Sequence, residues 1–166
     1  GKGPAGISAA LYTVRANLKT LVIGGPGSSL RKAGKVDNYY GFSETVTGEF
    51  LLKQGELQAI RLGAELVEDE VIAIEKKDLF EVTTPGASYT AKSVLLATGQ
   101  PQKKLRIGNL EKYEGKGVSY CTTCDGFFYK DLKVGMLGYR DFAVHEAIEL
   151  TAFTKNITIY TNGKEL

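Results

Sequence analysis

The sequence has 166 residues, enough for one ordinary domain or two small ones, and its apolar and charged fractions of 43% and 24% are typical of a globular protein. A balance of 21 basic and 19 acidic residues gives a net charge of +2, which is not the signature of a nucleic-acid-binding protein. No apolar run reaches the length of a membrane span, so we expect neither nucleic acid nor a membrane as a partner.

The chain opens on a loop with the G-x-G-x-x-G spacing of a dinucleotide-binding βαβ unit, whose glycines let the backbone approach a pyrophosphate. Residues 7–16 then have a helical pattern, and residues 20–24 predict a buried parallel strand. The strand that should precede the loop is absent, and Gly24 stands where an acidic residue would bind ribose. We expect nucleotide binding on a truncated chain, with a structural glycine turn as the alternative. The candidate cofactor-binding residues of the loop are Gly1, Gly3, Pro4, Ala5 and Gly6.

The rest of the first half predicts more strands than helices. A helix is predicted from residue 48 to about 62, followed by a short strand at 64–67. Three alternating segments predict an antiparallel β-meander that covers one face of the parallel sheet. A buried strand is predicted at 92–99, ending where a nucleotide would lie, and a solvated connection at 100–110. The meander segments are residues 70–75, 79–84 and 88–91.

A second βαβ start follows, with a strand at 132–138, a helix at 141–150 capped by Asp141, and a strand at 156–160. Its glycine loop keeps only the first glycine, because Arg140 stands where a second would admit a pyrophosphate. No arginine follows the second strand to meet a 2′-phosphate. We therefore expect this unit not to bind NADPH.

The only two cysteines, Cys121 and Cys124, are separated by two residues, and Asp125 follows directly. Two thiols at this spacing can close and reopen a disulfide by thiol–disulfide exchange, and an adjacent carboxylate can move the protons involved. Half of a zinc site and two ordinary buried cysteines remain as alternatives, although a structural zinc normally needs four ligands. A single close pair indicates cytoplasmic redox use, and no metal is expected.

These motifs, in this order, resemble those of the low-molecular-weight thioredoxin reductases, and the Cys-x-x-Cys-Asp-Gly-Phe-Phe run is the most specific of them. The resemblance spans nearly all of the chain but only part of a typical family member. It implies an α/β fold of two Rossmann-like nucleotide-binding domains of the three-layer ββα type. Residues 1–112 would form the FAD-binding domain, with its first strand and C-terminal return segment missing. Residues 113–166 would begin the pyridine-nucleotide-like unit that carries the dithiol.

The resemblance also implies roles for individual residues. Cys124 matches the thiol nearest the flavin, Cys121 the thiol that attacks the disulfide of thioredoxin, and Asp125 the proton donor and acceptor. Asn38 would lie near the isoalloxazine, and the backbone of Val71 near the adenine. The whole set implied to contact FAD is Gly1, Gly3, Pro4, Ala5, Gly6, Asn38, Val71, Ala97, Thr98 and Gly99.

The weak second glycine loop makes the chain most similar to the ferredoxin-dependent flavin thioredoxin reductases. That resemblance implies a cytoplasmic homodimer in which reduced ferredoxin feeds FAD, and the dithiol then reduces thioredoxin. Two alternatives remain open at this point. One is an NADPH-dependent thioredoxin reductase with an unusual loop, and the other is a non-catalytic flavin-binding redox sensor.

Overall fold

The computed structural model describes residues 1–99 and 107–166, so most of the solvated connection predicted at 100–110 lies outside the described residues. The chain divides into two compact units. The first comprises Gly1–Asp37 and Phe42–Gly108, and the second comprises Asn38–Gly41 and Asn109–Leu166. Within the described residues, no helix combines the length and apolar character needed to cross a bilayer.

The first unit begins with helix α1 (Pro4–Arg15), strand β1 (Leu21–Ile23) and a 3₁₀ turn (Ser29–Lys32). Helix α2 (Gly48–Leu62) and strand β2 (Glu65–Val67) follow, and β2 pairs with β1 in parallel. These bounds confirm the predicted helices and strands to within a few residues. Apolar positions of α1, β1 and α2, with the residue just before β2, form one core: Ile7, Ala10, Val22, Ala59 and Ala64.

Helix α2 shows why its bounds were predictable from sequence. The hydroxyl of Thr47 accepts a hydrogen bond from the Phe50 N–H at 3.1 Å, which satisfies one of the free donors of the first turn. Gly63 ends the helix at a φ of 104°, a left-handed conformation that glycine adopts without a steric penalty.

The meander is confirmed as an antiparallel sheet in the order β3-β4-β5, with β3 at Ala73–Lys76, β4 at Phe80–Thr83 and β5 at Ser88–Ala91. The prediction of a buried strand at 92–99 is wrong. This segment forms no strand among the described residues, and Leu95 and Leu96 are 62% and 70% exposed. A strand needs a neighbour for its N–H and C=O groups, and none of the described strands pairs with this segment.

The second unit has two short helices, α3 (Leu110–Tyr113) and α4 (Thr122–Asp125), and a 3₁₀ turn (Gly126–Tyr129). A β-α-β segment follows: β6 (Val134–Leu137), α5 (Arg140–Leu150) and β7 (Ile157–Tyr160).

Strands β6 and β7 are parallel, as predicted, and the helix between them buries Ala143, Ala147 and Leu150. The predicted cap at Asp141 is wrong. Helix α5 begins one residue earlier, so its cap position falls on Tyr139, whose side chain makes no capping bond, and Asp141 lies inside the first turn.

Candidate functional site

The first glycine loop is packed closely against its own unit. A Cβ on Gly1 would collide with the carbonyl oxygen of Ala97, and a Cβ on Gly6 would collide with the carbonyl oxygen of Gly1. A Cβ on Gly24 would lie 2.5 Å from the backbone nitrogen of Lys2. The structure therefore brings Gly1, Gly6 and Ala97 together, as a nucleotide-binding turn requires.

Gly3 differs from these packed glycines. Apart from its chain neighbours, the described residues place one atom within 4 Å of a Cβ built on Gly3, the hydroxyl oxygen of Ser28 at 3.5 Å. The space beside Gly3 is thus not filled by the described chain, and it lies at the start of α1, where Pro4 has no N–H and the N–H of Ala5 precedes the first helical bond. Unfilled space beside the backbone at a helix N-terminus fits the pyrophosphate of a dinucleotide.

Lys2, which lies between the first two glycines of this loop, is a feature that sequence reasoning missed. Its ammonium donates to the carboxylate of Glu68 at 2.8 Å and lies 3.8 Å from Glu56, and its side chain is only 11% exposed. The hydrogen bond from Lys2, and then its charge, lower the pKa of Glu68. The only signal in the sequence was a lysine between two glycines of the loop.

The other predicted FAD residues lie apart from this loop in the sequence. Thr98 and Gly99 are exposed, and Gly99 has a left-handed φ of 71°. Asn38 is exposed and Val71 lies just before β3 with 36% of its surface exposed. Their contacts with FAD stay predictions.

In the second unit the two cysteines form a disulfide, with their Cα atoms 5.3 Å apart. The sulfur of Cys121 also accepts a hydrogen bond from the N–H of Cys124 at 3.2 Å, because Cys121 occupies the cap position of α4. Cys121 is half-buried and Cys124 exposed. Since an N–H donor stabilises a sulfur anion more than a neutral thiol, this bond favours Cys121 as the thiolate when the disulfide opens.

Asp125 follows the disulfide and is held by Ser119, a residue that sequence reasoning did not single out. The Ser119 hydroxyl donates to Asp125 Oδ2 at 2.5 Å and accepts from the N–H of Cys121 at 3.1 Å. On the other side, burial and then the charge of Asp125 raise the pKa of Tyr129. The signal that could have found Ser119 is a hydroxyl residue shortly before a helix start, where such side chains bond backbone groups.

The segment that carries the disulfide, residues 121–129, is called the dithiol turn, and it packs against Phe153 just after the end of α5. A Cβ on Gly126, the residue after Asp125, would lie 2.5 Å from Cε2 and 2.7 Å from Cδ2 of the Phe153 ring. The carbonyl of Phe153 accepts the N–H of Asp131 at 3.0 Å, which closes the turn from its other end. The absence of a side chain at Gly126 is thus what lets the turn approach the ring.

The second glycine loop joins a strand to a helix, as a nucleotide-binding loop does, but its backbone lacks the unfilled space that a pyrophosphate would occupy. A Cβ on Gly138 would lie 3.0 Å from the Cβ of Ala143, so this glycine serves helix–strand packing. Arg140 has a left-handed φ of 57°, and its N–H points to the carbonyl of Glu165 at 3.4 Å. A backbone donor at the start of α5 therefore faces the chain itself.

Comparison with known proteins accounts for this combination of features. The family model described as pyridine nucleotide-disulphide oxidoreductase matches residues 1–166. A thioredoxin reductase of Streptomyces coelicolor is 43% identical over 164 residues, which cover 96% of this chain and 51% of that protein.

Two solved structures are also similar. The atypical thioredoxin reductase TRi of Desulfovibrio vulgaris Hildenborough is 44% identical, with a TM-score of 0.58, and the match covers 99% of this chain and 56% of that one. The thioredoxin reductase of Streptococcus pyogenes is 36% identical, with a TM-score of 0.88, and the match covers 100% of this chain and 55% of that one.

The chain spans about half the length of the relatives it matches. The predicted α/β fold with a Rossmann-like nucleotide-binding unit is confirmed by these similarities. FAD, the predicted cofactor, is confirmed as the cofactor of these homologues. Since the family model matches every residue, the chain belongs to the pyridine nucleotide-disulphide oxidoreductase family.

Proposed function

We propose that this chain is the dithiol-bearing part of a flavin-dependent disulfide reductase that reduces thioredoxin. The observation that carries the proposal is the Cys121–Cys124 disulfide with a half-buried carboxylate directly after it, in a member of this family. The relatives named thioredoxin reductase support thioredoxin as the substrate.

In the proposed reaction, the reduced dithiol passes two electrons to the disulfide of thioredoxin and is itself oxidised to a disulfide. The Cys121 thiolate attacks one sulfur of the thioredoxin disulfide, which forms a mixed disulfide and releases a thioredoxin thiolate. Asp125 accepts the proton of the Cys124 thiol and returns it to a departing sulfur. The Cys124 thiolate then attacks Cys121, which releases the second thioredoxin sulfur and restores the Cys121–Cys124 disulfide. The hydrogen bond from the Cys124 N–H to the Cys121 sulfur supports this division of roles.

FAD fits the open backbone beside Gly3, and Gly1, Gly3, Ala5 and Gly6 would hold its pyrophosphate. Bound FAD supplies chemistry that the chain lacks, because it takes electrons singly and delivers them in pairs. Asn38 near the flavin ring, Val71 near the adenine, and Thr98 beside the cofactor remain part of the proposal.

Reduced ferredoxin, rather than NADPH, is the proposed electron donor. Arg140 in place of a glycine and the contact between its N–H and the Glu165 carbonyl support this choice, because both remove the approach that a pyrophosphate needs. The same proposal includes a cytoplasmic homodimer. Within each chain, the boundary between the FAD-binding domain and the dithiol-bearing unit would lie near residue 112.

Two measurements test the proposal. In the first, the flavin-loaded protein is titrated without oxygen, and we expect reduced ferredoxin to bleach the flavin absorbance while stoichiometric NADPH does not. Rapid bleaching by NADPH alone would show an NADPH-dependent enzyme instead. In the second, we expect Cys121→Ser and Cys124→Ser each to abolish reduction of thioredoxin. Unchanged turnover in either variant would leave a redox sensor as the better description.

A further inference from the structure

We infer that Ser119 is the positioning residue for the proton-transferring carboxylate of Asp125. This inference rests on the proposed dithiol chemistry and extends it to a residue outside the Cys-x-x-Cys-Asp motif. Ser119 lies two residues before the first cysteine and is half-buried, so its hydroxyl is partly shielded from competing water.

The hydrogen-bond geometry around this hydroxyl decides which bonds coexist. A serine hydroxyl has one hydrogen to donate and two lone pairs that accept. Asp125 Oδ2 lies 2.5 Å from it and the carbonyl oxygen of Cys121 lies 3.4 Å from it, so the hydrogen points to the carboxylate. The N–H of Cys121 donates to a lone pair of the same oxygen at 3.1 Å.

The hydroxyl also fits the protonated form of Asp125. A carboxylic acid can donate its own hydrogen to the Ser119 oxygen, and the serine hydrogen can then turn to the carbonyl oxygen of Cys121. Asp125 thus keeps a partner whether it holds the proton or has released it. A group that must gain and lose a proton in each exchange needs such a partner, since an unpaired half-buried polar group is destabilised.

The hydroxyl links the carboxylate to the nucleophile as well. Its two bonds connect Asp125 with the backbone of Cys121, the residue whose sulfur caps α4. A shift of the Asp125 carboxylate would therefore move the Ser119 hydroxyl and, through it, the backbone of Cys121. Tyr129 also interacts with Asp125: burial and then that charge raise the pKa of the Tyr129 hydroxyl, so it stays a neutral neighbour near pH 7.

The test measures reduction of the Cys121–Cys124 disulfide by dithiothreitol in the protein alone, so neither thioredoxin nor an electron donor is needed. A dithiothreitol thiolate attacks one cysteine sulfur, the released sulfur takes a proton, and the second dithiothreitol thiol closes its own ring. A well-placed acid or base speeds a reaction by about 10²–10⁴-fold, and the loss of a residue that positions it removes part of that contribution. We therefore expect Ser119→Ala to slow this reaction about tenfold or more. Ser119→Thr keeps the hydroxyl, so its rate should stay within about threefold of the wild-type rate.

A double-mutant cycle separates positioning from a purely structural role. If Ser119 acts through Asp125, the Ser119→Ala/Asp125→Asn protein will be no slower than Asp125→Asn alone. Effects that multiply, or a Ser119→Ala rate equal to wild type, would overturn the inference. Should the alanine variant fail to fold, Ser119→Thr and Ser119→Val provide an isosteric pair, and equal rates in that pair would also overturn it. Ser93→Ala, at an exposed serine of the first unit, is the control and should leave the rate unchanged.

The outcome is independent of the proposed substrate. A slow, non-additive Ser119→Ala variant in a protein that fails to reduce thioredoxin would refute the substrate and keep the positioning role. Normal thioredoxin turnover in Ser119→Ala, with normal reduction by dithiothreitol, would refute the positioning role and keep the substrate.

Discussion

Substitution of Gly126 by alanine tests whether the Phe153 ring fixes the dithiol turn. The new Cβ would lie 2.5 and 2.7 Å from two ring carbons, so the ring or the turn must move. The backbone itself tolerates alanine, because Gly126 has a right-handed helical φ of −53° and ψ of −35°. Any loss of stability therefore arises from the steric contact.

The magnitude follows from two opposing effects. Overpacking of a well-packed site destabilises a protein by about 1–3 kcal/mol. Replacement of glycine by alanine in a compatible conformation stabilises it by about 0.4–1 kcal/mol, because the unfolded chain loses freedom. We expect a net loss of about 1–2 kcal/mol in the free energy of unfolding of the second unit.

Urea unfolding followed by circular dichroism, with hydrogen exchange of the peptides around residues 119–131, measures this loss. Phe153→Leu should recover part of it in the Gly126→Ala background, since the smaller side chain makes room. Gly108→Ala, in the first unit, is the control for the general effect of replacing glycine, because no atom of the described residues lies within 4 Å of its added Cβ. If Gly126→Ala is as stable as wild type, the ring does not hold the turn and our explanation of this glycine is wrong.

Three further substitutions test other contacts. Gly6→Ala should abolish retention of FAD on gel filtration, since the added Cβ collides with the first carbonyl of the loop; full retention would exclude the glycine loop as the flavin site. Tyr120→Phe should remove the tyrosine that titrates last in absorbance at 295 nm. The bond from its hydroxyl to Glu114 raises the pKa of Tyr120 to about 12, so the bond's stabilisation is present below pH ~10 and lost toward pH 12; an unchanged late phase would contradict this. Lys2→Met should destabilise the first unit at neutral pH but not in acid. Lys2 lowers the pKa of Glu68, so this stabilisation disappears as the pH falls through that depressed value, and a difference in urea midpoint that persists at pH 2 would refute the assignment.

Local sequence patterns predicted most of the fold because the elements concerned are locally encoded. Helix α2 has its own capping threonine and terminating glycine, and the strands of the meander are neighbours along the chain. The failure at residues 92–99 has a different cause. An apolar run predicts a strand only if another strand pairs with it, and the pattern carries no information about that partner.

The candidate site divides in the same way. Cys121, Cys124 and Asp125 are adjacent, so their chemistry could be inferred from the sequence alone. The positioning contacts depend on folding. Phe153 comes 27 positions after Gly126 in the sequence and reaches it only because α5 ends beside the turn. Ser119 falls between these cases, because it is close in sequence but bonds Asp125 only once α4 has formed.

Arg140 keeps the left-handed backbone conformation that favours glycine, although its side chain stands where a glycine would let a pyrophosphate approach. Its left-handed φ of 57° strains a residue with a side chain by roughly 1–2 kcal/mol, so Arg140→Gly should be more stable than Arg140→Ala by about 1 kcal/mol. Arg140→Gly reinstates the G-x-G spacing, but the N–H at this position still faces the Glu165 carbonyl, and residues 161–166, directly after β7, hold no arginine. We therefore expect NADPH to leave the flavin absorbance of this variant unchanged. Bleaching by NADPH in Arg140→Gly, but not in wild type or Arg140→Ala, would show that the arginine side chain alone closes the nucleotide site.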